Sequence, residues 1–134
     1  MKRNQYFLMA AVGVLILAAL ACSFSASTAK INRAWMAKDQ DGNQETAVFA
    51  QSDVFYMIVD LANAPDDTTA KAVWTAVEID TGESNVNLGE KELASGSGQL
   101  YFQLSNQNLW PTGKYKVDIY LNGELNQTLN FEVQ

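Results

Sequence analysis

Residues 114–121 and 125–133 alternate apolar and polar side chains on either side of Asn122-Gly123, and this arrangement leaves little besides a β-hairpin. In the first segment Tyr115, Val117, Ile119 and Leu121 share one face, and Lys114, Lys116, Asp118 and Tyr120 share the other. Asn and Gly both tolerate the positive φ that a tight type I′ turn demands, so the chain is expected to reverse at residues 122–123. In the returning segment Leu125, Leu129, Phe131 and Val133 are expected on the buried face, with Asn126, Thr128, Asn130 and Glu132 toward water.

The hairpin is preceded by Trp110-Pro111-Thr112-Gly113, a turn in which Pro fixes φ and Gly relaxes it. Gly113-x-Tyr115-x-Val117 resembles the tyrosine corner of immunoglobulin-like sandwiches, with Val117 where those with a core disulfide carry Cys. The resemblance implies an all-β, immunoglobulin-like antiparallel sandwich of seven or eight strands over residues 31–134, without a disulfide. It implies a structural role for Gly113 and Tyr115, whose hydroxyl would bond back to the turn, and it implies no function.

The rest of the chain reads consistently. Residues 31–38 and 46–50 are extended pieces around the turn cluster Asp39-Gln40-Asp41-Gly42-Asn43. That cluster is not a calcium loop: Gly comes two places early, and Ala50 stands where a bidentate Glu would be needed. Residues 53–61 form the strongest strand pattern, with Phe55, Met57, Val59 and Leu61 on one face. Residues 70–80 carry Trp74, which resembles the core Trp of the C strand in that architecture. Its phase is ambiguous, because Ala72, Trp74 and Ala76 share one face and Val73, Thr75, Val77 and Ile79 the other. Residues 86–93 read as an edge guarded by Glu90, Lys91 and Glu92, and residues 99–104 as a further strand.

The N-terminal segment has a different character. Lys2 and Arg3 precede an uncharged run from Tyr6 to Cys22, followed by small polar residues, as in a secretory signal. Ala19-Leu20-Ala21-Cys22 resembles the lipobox of bacterial lipoproteins, with Ala19 where Leu is most usual. The resemblance implies a signal peptide over residues 1–21, a lipidated Cys22 as the new N-terminus, a tether over residues 22–30, and attachment to the extracytoplasmic side of a bacterial membrane. Ordinary cleavage after Ala21 or Ala29 and a retained hydrophobic anchor helix stay open as alternatives.

Chemistry is scarce. With no His and a single Cys, His-based catalysis, His metal sites and an internal disulfide are excluded. Ser97 lies in Ala94-Ser95-Gly96-Ser97-Gly98, which lacks the first Gly of a nucleophile elbow and reads as a loop. Asp66 with Asp67, and Asp80 with Glu83, are loop acids for which solvation is the default. No phosphate loop, dinucleotide fingerprint or metal spacing is present, so the expectation is a non-enzyme without cofactor or metal. The formal charge of -6, becoming -8 once residues 1–21 are removed, argues against nucleic acid as a partner.

Two binding readings turn on the phase of Trp74. If Trp74 is core, Val73, Val77 and Ile79 face outward beside Tyr120 as an apolar face for a protein partner or a second copy, making the domain a binding or scaffolding accessory module. If Trp74 faces outward, it and Tyr120 form an aromatic platform resembling that of a carbohydrate-binding module. In the bland case the outer face is simply mixed, and Trp35 and Trp110 are lids over the ends of the sandwich.

Overall fold

The computed structural model describes residues 28–134; the expected signal peptide over residues 1–21 and the expected lipid attachment at Cys22 lie outside the described residues. Eight strands follow in order: β1 (Lys30–Ala37), β2 (Val48–Phe49), β3 (Phe55–Ala62), β4 (Thr69–Ile79), β5 (Ser84–Ala94), β6 (Gly98–Leu104), β7 (Gly113–Leu121) and β8 (Glu124–Val133). Among the described residues no helix is long and apolar enough to cross a membrane.

The strands form two facing sheets, three-stranded in the order β1-β3-β6 and five-stranded in the order β2-β8-β7-β4-β5. Pairing is antiparallel throughout, except that β2 runs parallel to β8. This is an all-β, sandwich-like fold of eight strands, and its core is the space between the sheets.

Alternation decides which side chains enter that core. Met36, Phe55, Met57, Val59, Leu61 and Phe102 are buried from the smaller sheet. Facing them, Ala70, Ala72 and Ala76 of β4 are small, which leaves room between the layers for aromatic rings. Phe55 is the hub: its ring stacks on Trp110 at 4.6 Å between centroids and meets Phe131 at 4.8 Å and Phe49 at 5.0 Å edge-on. Trp74 is 2 % exposed, so the phase of β4 is settled with Trp74 in the core.

One long side of the sandwich is closed and the other is open. On the closed side β1 runs on toward β2, with a bridge between Ala37 and Glu45 and the Thr46 N–H donating to the Met36 carbonyl oxygen at 3.0 Å. On the opposite side β5 and β6 are the outer strands of their respective sheets, joined by a short loop at residues 95–97.

Two β-bulges alter the expected faces. Ile119 pairs with Gln127 but Tyr120 pairs with Leu125, so Asn126 is an extra residue in β8. The insertion reverses the alternation, and Leu125, expected in the core, is 57 % exposed. Leu129 remains packed against the core, while Phe131 and Val133 are buried as expected. In β4, Ala76 pairs with Tyr115 and Glu78 with Lys114, so Val77 is the extra residue and Ile79 returns to the core side.

Candidate functional site

The tyrosine corner forms. The Tyr115 hydroxyl donates to the Pro111 carbonyl oxygen at 2.6 Å, and the ring is 1 % exposed. Gly113 begins β7 with φ +147°, and a Cβ there would lie 2.2 Å from the Glu78 carbonyl oxygen, so only glycine fits between β4 and the turn. Burial, with the Asp80 carboxylate nearby, pushes the Tyr115 phenol up to about 12. These two residues hold the fold together and present no chemistry to solvent.

The outer face of the five-stranded sheet is polar row by row. Following the register from β5 to β8, one row is Glu92, Lys71, Tyr120 and Leu125, and the next is Glu90, Val73, Asp118 and Thr128. The row after that is Asn87, Thr75, Lys116 and Asn130. Val73 is therefore flanked by two acids. The Lys71 ammonium sits 4.7 Å from the centroid of the Tyr120 ring, and the Thr128 hydroxyl bonds the Asp118 carboxylate.

The residues expected to make a continuous apolar patch are thus separated. Val73 and Val77 stay on the outer side, but Thr75 lies between them, and Ile79 has turned inward. Val77 instead lines a shallow cavity of about 360 Å³ with Val48, Lys114, Asn130 and Glu132. The Trp74–Tyr120 platform does not form either, since Trp74 lies in the core and Tyr120 on the opposite face of the sheet.

Aromatic surface gathers on the outer face of the smaller sheet instead. There Trp35, Ile58 and Tyr101 share a row, and Ala37, Tyr56 and Gln103 share the next. Trp35 is not a lid over an end: it lies across Ile58, which is fully buried, and its indole N–H donates to the Gly42 carbonyl oxygen at 3.0 Å. The turn at 39–43 is held over this face because the Asp39 carboxylate accepts the Asn43 and Gln44 N–H groups at 3.1 and 2.7 Å. The Arg33 guanidinium lies over the indole ring, 4.4 Å from its centroid. Trp110 does sit at an end, sealed to 6 % exposure, with its indole N–H on the Asp53 carbonyl oxygen at 3.0 Å.

The open side is concave. A cleft of about 710 Å³ runs between β5 and β6, lined by Leu93, Leu100 and Phe102 at its base and by Glu90, Lys91, Gln99 and Gln103 at its rim. Its two walls differ in kind. β5 carries Glu90, Lys91 and Glu92 and a bulge at Leu88, the features by which natural edge strands avoid pairing with other chains. β6 has no charged residue and no proline, and its register with β3 is unbroken over seven pairs. Tyr101, at its centre, is 40 % exposed. Sequence reasoning found the strand but not its free edge, because strand order across a sheet is a property of the whole chain.

The acids are dispersed. Asp80 accepts a hydrogen bond from Thr112, and Asp53 accepts one from the Ala50 N–H, which holds its carboxyl below the usual carboxylate range. Among the described residues, no group of three or more acidic or Cys side chains is placed to hold a metal ion, and no buried side-chain polar atom lacks a hydrogen-bond partner.

No protein-family model matches the sequence, and no curated protein matches it. Solved structures do match in fold. An immunoglobulin-like protein from Pseudomonas aeruginosa is similar over 82% of this chain and 99% of its own, at 12% identity and a TM-score of 0.54. The Pseudomonas fluorescens alkylpurine DNA glycosylase AlkC, bound to DNA containing an abasic site analog, is similar over 81% of this chain at 16% identity and a TM-score of 0.52. This chain spans only 31% of that glycosylase. The C-terminal domain of Wzt is similar over 81% of this chain and 75% of its own, at 11% identity and a TM-score of 0.50. At these identities the likeness is one of fold alone, that of an all-β sandwich.

Proposed function

We propose that this chain is a lipid-anchored protein of the bacterial cell envelope, whose immunoglobulin-like sandwich binds or scaffolds another protein and catalyses nothing. The anchor is Cys22, the only cysteine, placed at the end of the apolar run behind Ala19-Leu20-Ala21. The sandwich starts at Lys30, so a tether of a few small residues would hold it close to the outer surface of the membrane.

The observation that carries the binding half is the β6 edge beside the open cleft. A charge-free, regular, solvent-facing strand is a template for strand addition, in which main-chain bonds supply affinity and side-chain pockets supply selectivity. The polar, charge-alternating outer face of the larger sheet offers no comparable surface. Nucleic acid is not a partner in this reading, since a net charge of -6 repels phosphate.

The test is photo-crosslinking in membranes of the native host, with a photoreactive phenylalanine analogue at position 101 or at position 73. The proposal expects protein adducts from position 101 and none above background from position 73. Adducts from position 73 alone, or adducts only to polysaccharide, would contradict it.

A further inference from the structure

We infer that the protein bound at the β6 edge is a second copy of this chain, paired antiparallel through β6 about a two-fold axis at Tyr101. The inference rests on the protein-binding reading above and names its partner.

The strand reads Gln99-Leu100-Tyr101-Phe102-Gln103, a sequence that matches itself by residue type when reversed about Tyr101. Antiparallel pairing about that residue sets Tyr101 against the second Tyr101, Leu100 against Phe102, and Gln99 against Gln103. Each row then joins like with like: aromatic with aromatic, apolar with apolar, amide with amide. Parity is also satisfied. Tyr101 lies on the outer face in both copies, as an even register across a perpendicular two-fold axis requires.

Charge separates the two open edges of the sandwich. The same operation on β5, about Lys91, would set Glu90 against Glu92 twice and Lys91 against itself, placing like charges opposite one another in three rows. On β6 no row carries a charge, so two copies of an acidic protein can approach there. The smaller sheets would merge into one of six strands, β1-β3-β6 continued by β6-β3-β1. The row of Trp35, Ile58 and Tyr101 would run unbroken across the axis, with Tyr56 beside it at 6.4 Å from Tyr101 between ring centroids. Half-buried Leu100 would gain cover from Phe102 of the other copy.

The full chain in its native membrane tests this by disulfide trapping. A Tyr101→Cys variant should form, under mild oxidation, a species of twice the chain mass that is absent from wild type and from Val73→Cys. Adding Gln99→Lys and Gln103→Lys together should cut its yield at least tenfold, because two pairs of ammonium groups then face each other across the axis. Replacing that pair by Gln99→Lys with Gln103→Glu should restore it. Independently, the wild-type chain in density-matched detergent should sediment with the mass of two chains. A trapped yield no greater than that of Val73→Cys, indifference to the paired lysines, or a single-chain mass would each overturn the inference. If position 101 crosslinks to a different protein while Tyr101→Cys gives no dimer, self-pairing is refuted and the protein-binding reading stands.

Discussion

The Tyr115 hydroxyl lies 2.6 Å from the Pro111 carbonyl oxygen, and that bond ties the start of β7 to the turn from which it emerges. The ring beneath stacks on Phe131 at 5.6 Å between centroids, so one residue joins the turn, the sheet and the aromatic core. Tyr115→Phe keeps the ring and removes the bond, and should lower stability by about 1 kcal/mol, the net worth of one hydrogen bond. For a domain of this size that is a fall of roughly 4–5 °C in the melting midpoint. An unchanged midpoint would show that the corner bond contributes nothing.

Alkaline pH should undo the same residue. Burial raises the Tyr115 phenol to about 12 from an ordinary value of 10.0, so the folded state holds its proton more tightly than the unfolded chain. That contribution is complete below about pH 10 and is lost as pH rises through about 12. The stability difference between wild type and Tyr115→Phe should therefore shrink across that window in denaturant titrations. A constant difference would place the phenol in contact with solvent.

Gly113→Ala should cost about 2 kcal/mol or more. The added methyl meets the Glu78 carbonyl oxygen at 2.2 Å, and φ of +147° is one that L side chains rarely adopt, so β4 and β7 must separate to admit it. Gly123→Ala meets nothing within 4 Å and has only its φ of +82° to resist it, so it should cost less. Equal losses would mean that the close approach of Gly113 to β4 carries no weight.

The bulge at Asn126 makes a sharper pair. Leu125 and Phe131 are six residues apart and were both expected in the core, yet only Phe131 is buried. Phe131→Ala should cost about 3–5 kcal/mol and Leu125→Ser no more than about 0.5 kcal/mol in thermal or denaturant unfolding. A large loss from Leu125→Ser would mean that the alternation runs unbroken through β8.

What could be read from the sequence was local. The hairpin, its Asn122-Gly123 turn, the corner at Gly113 and Tyr115, and the strand patterns of β3, β6 and β7 each follow from neighbours within ten residues, and the structure contains all of them. Bulges are also local, but they have no compositional mark here, so the alternation puts Leu125 on the wrong face and, in a strand whose phase it leaves open, does not foresee Trp74 and Ile79 both turned to the core. The phase of Trp74 is undecidable from sequence because both faces of β4 are partly apolar; it is settled by the Phe55 ring from the opposing sheet and the Phe131 ring from β8 of its own sheet. Trp35 covers Ile58 rather than an end because the turn at residues 39–43 folds back onto the sheet, which no pattern within β1 announces. Whether β6 is an outer strand depends on the order of strands from distant parts of the chain.

Everything proposed about where this domain works depends on Cys22, and intact mass spectrometry of the chain recovered from membranes of its native host tests that most directly. A mature chain that begins at Cys22 and carries the mass of a diacylglycerol, with the modification lost in Cys22→Ala, is the predicted result. An unmodified chain that begins at Lys30, or one that retains residues 1–21, would contradict the lipid anchor.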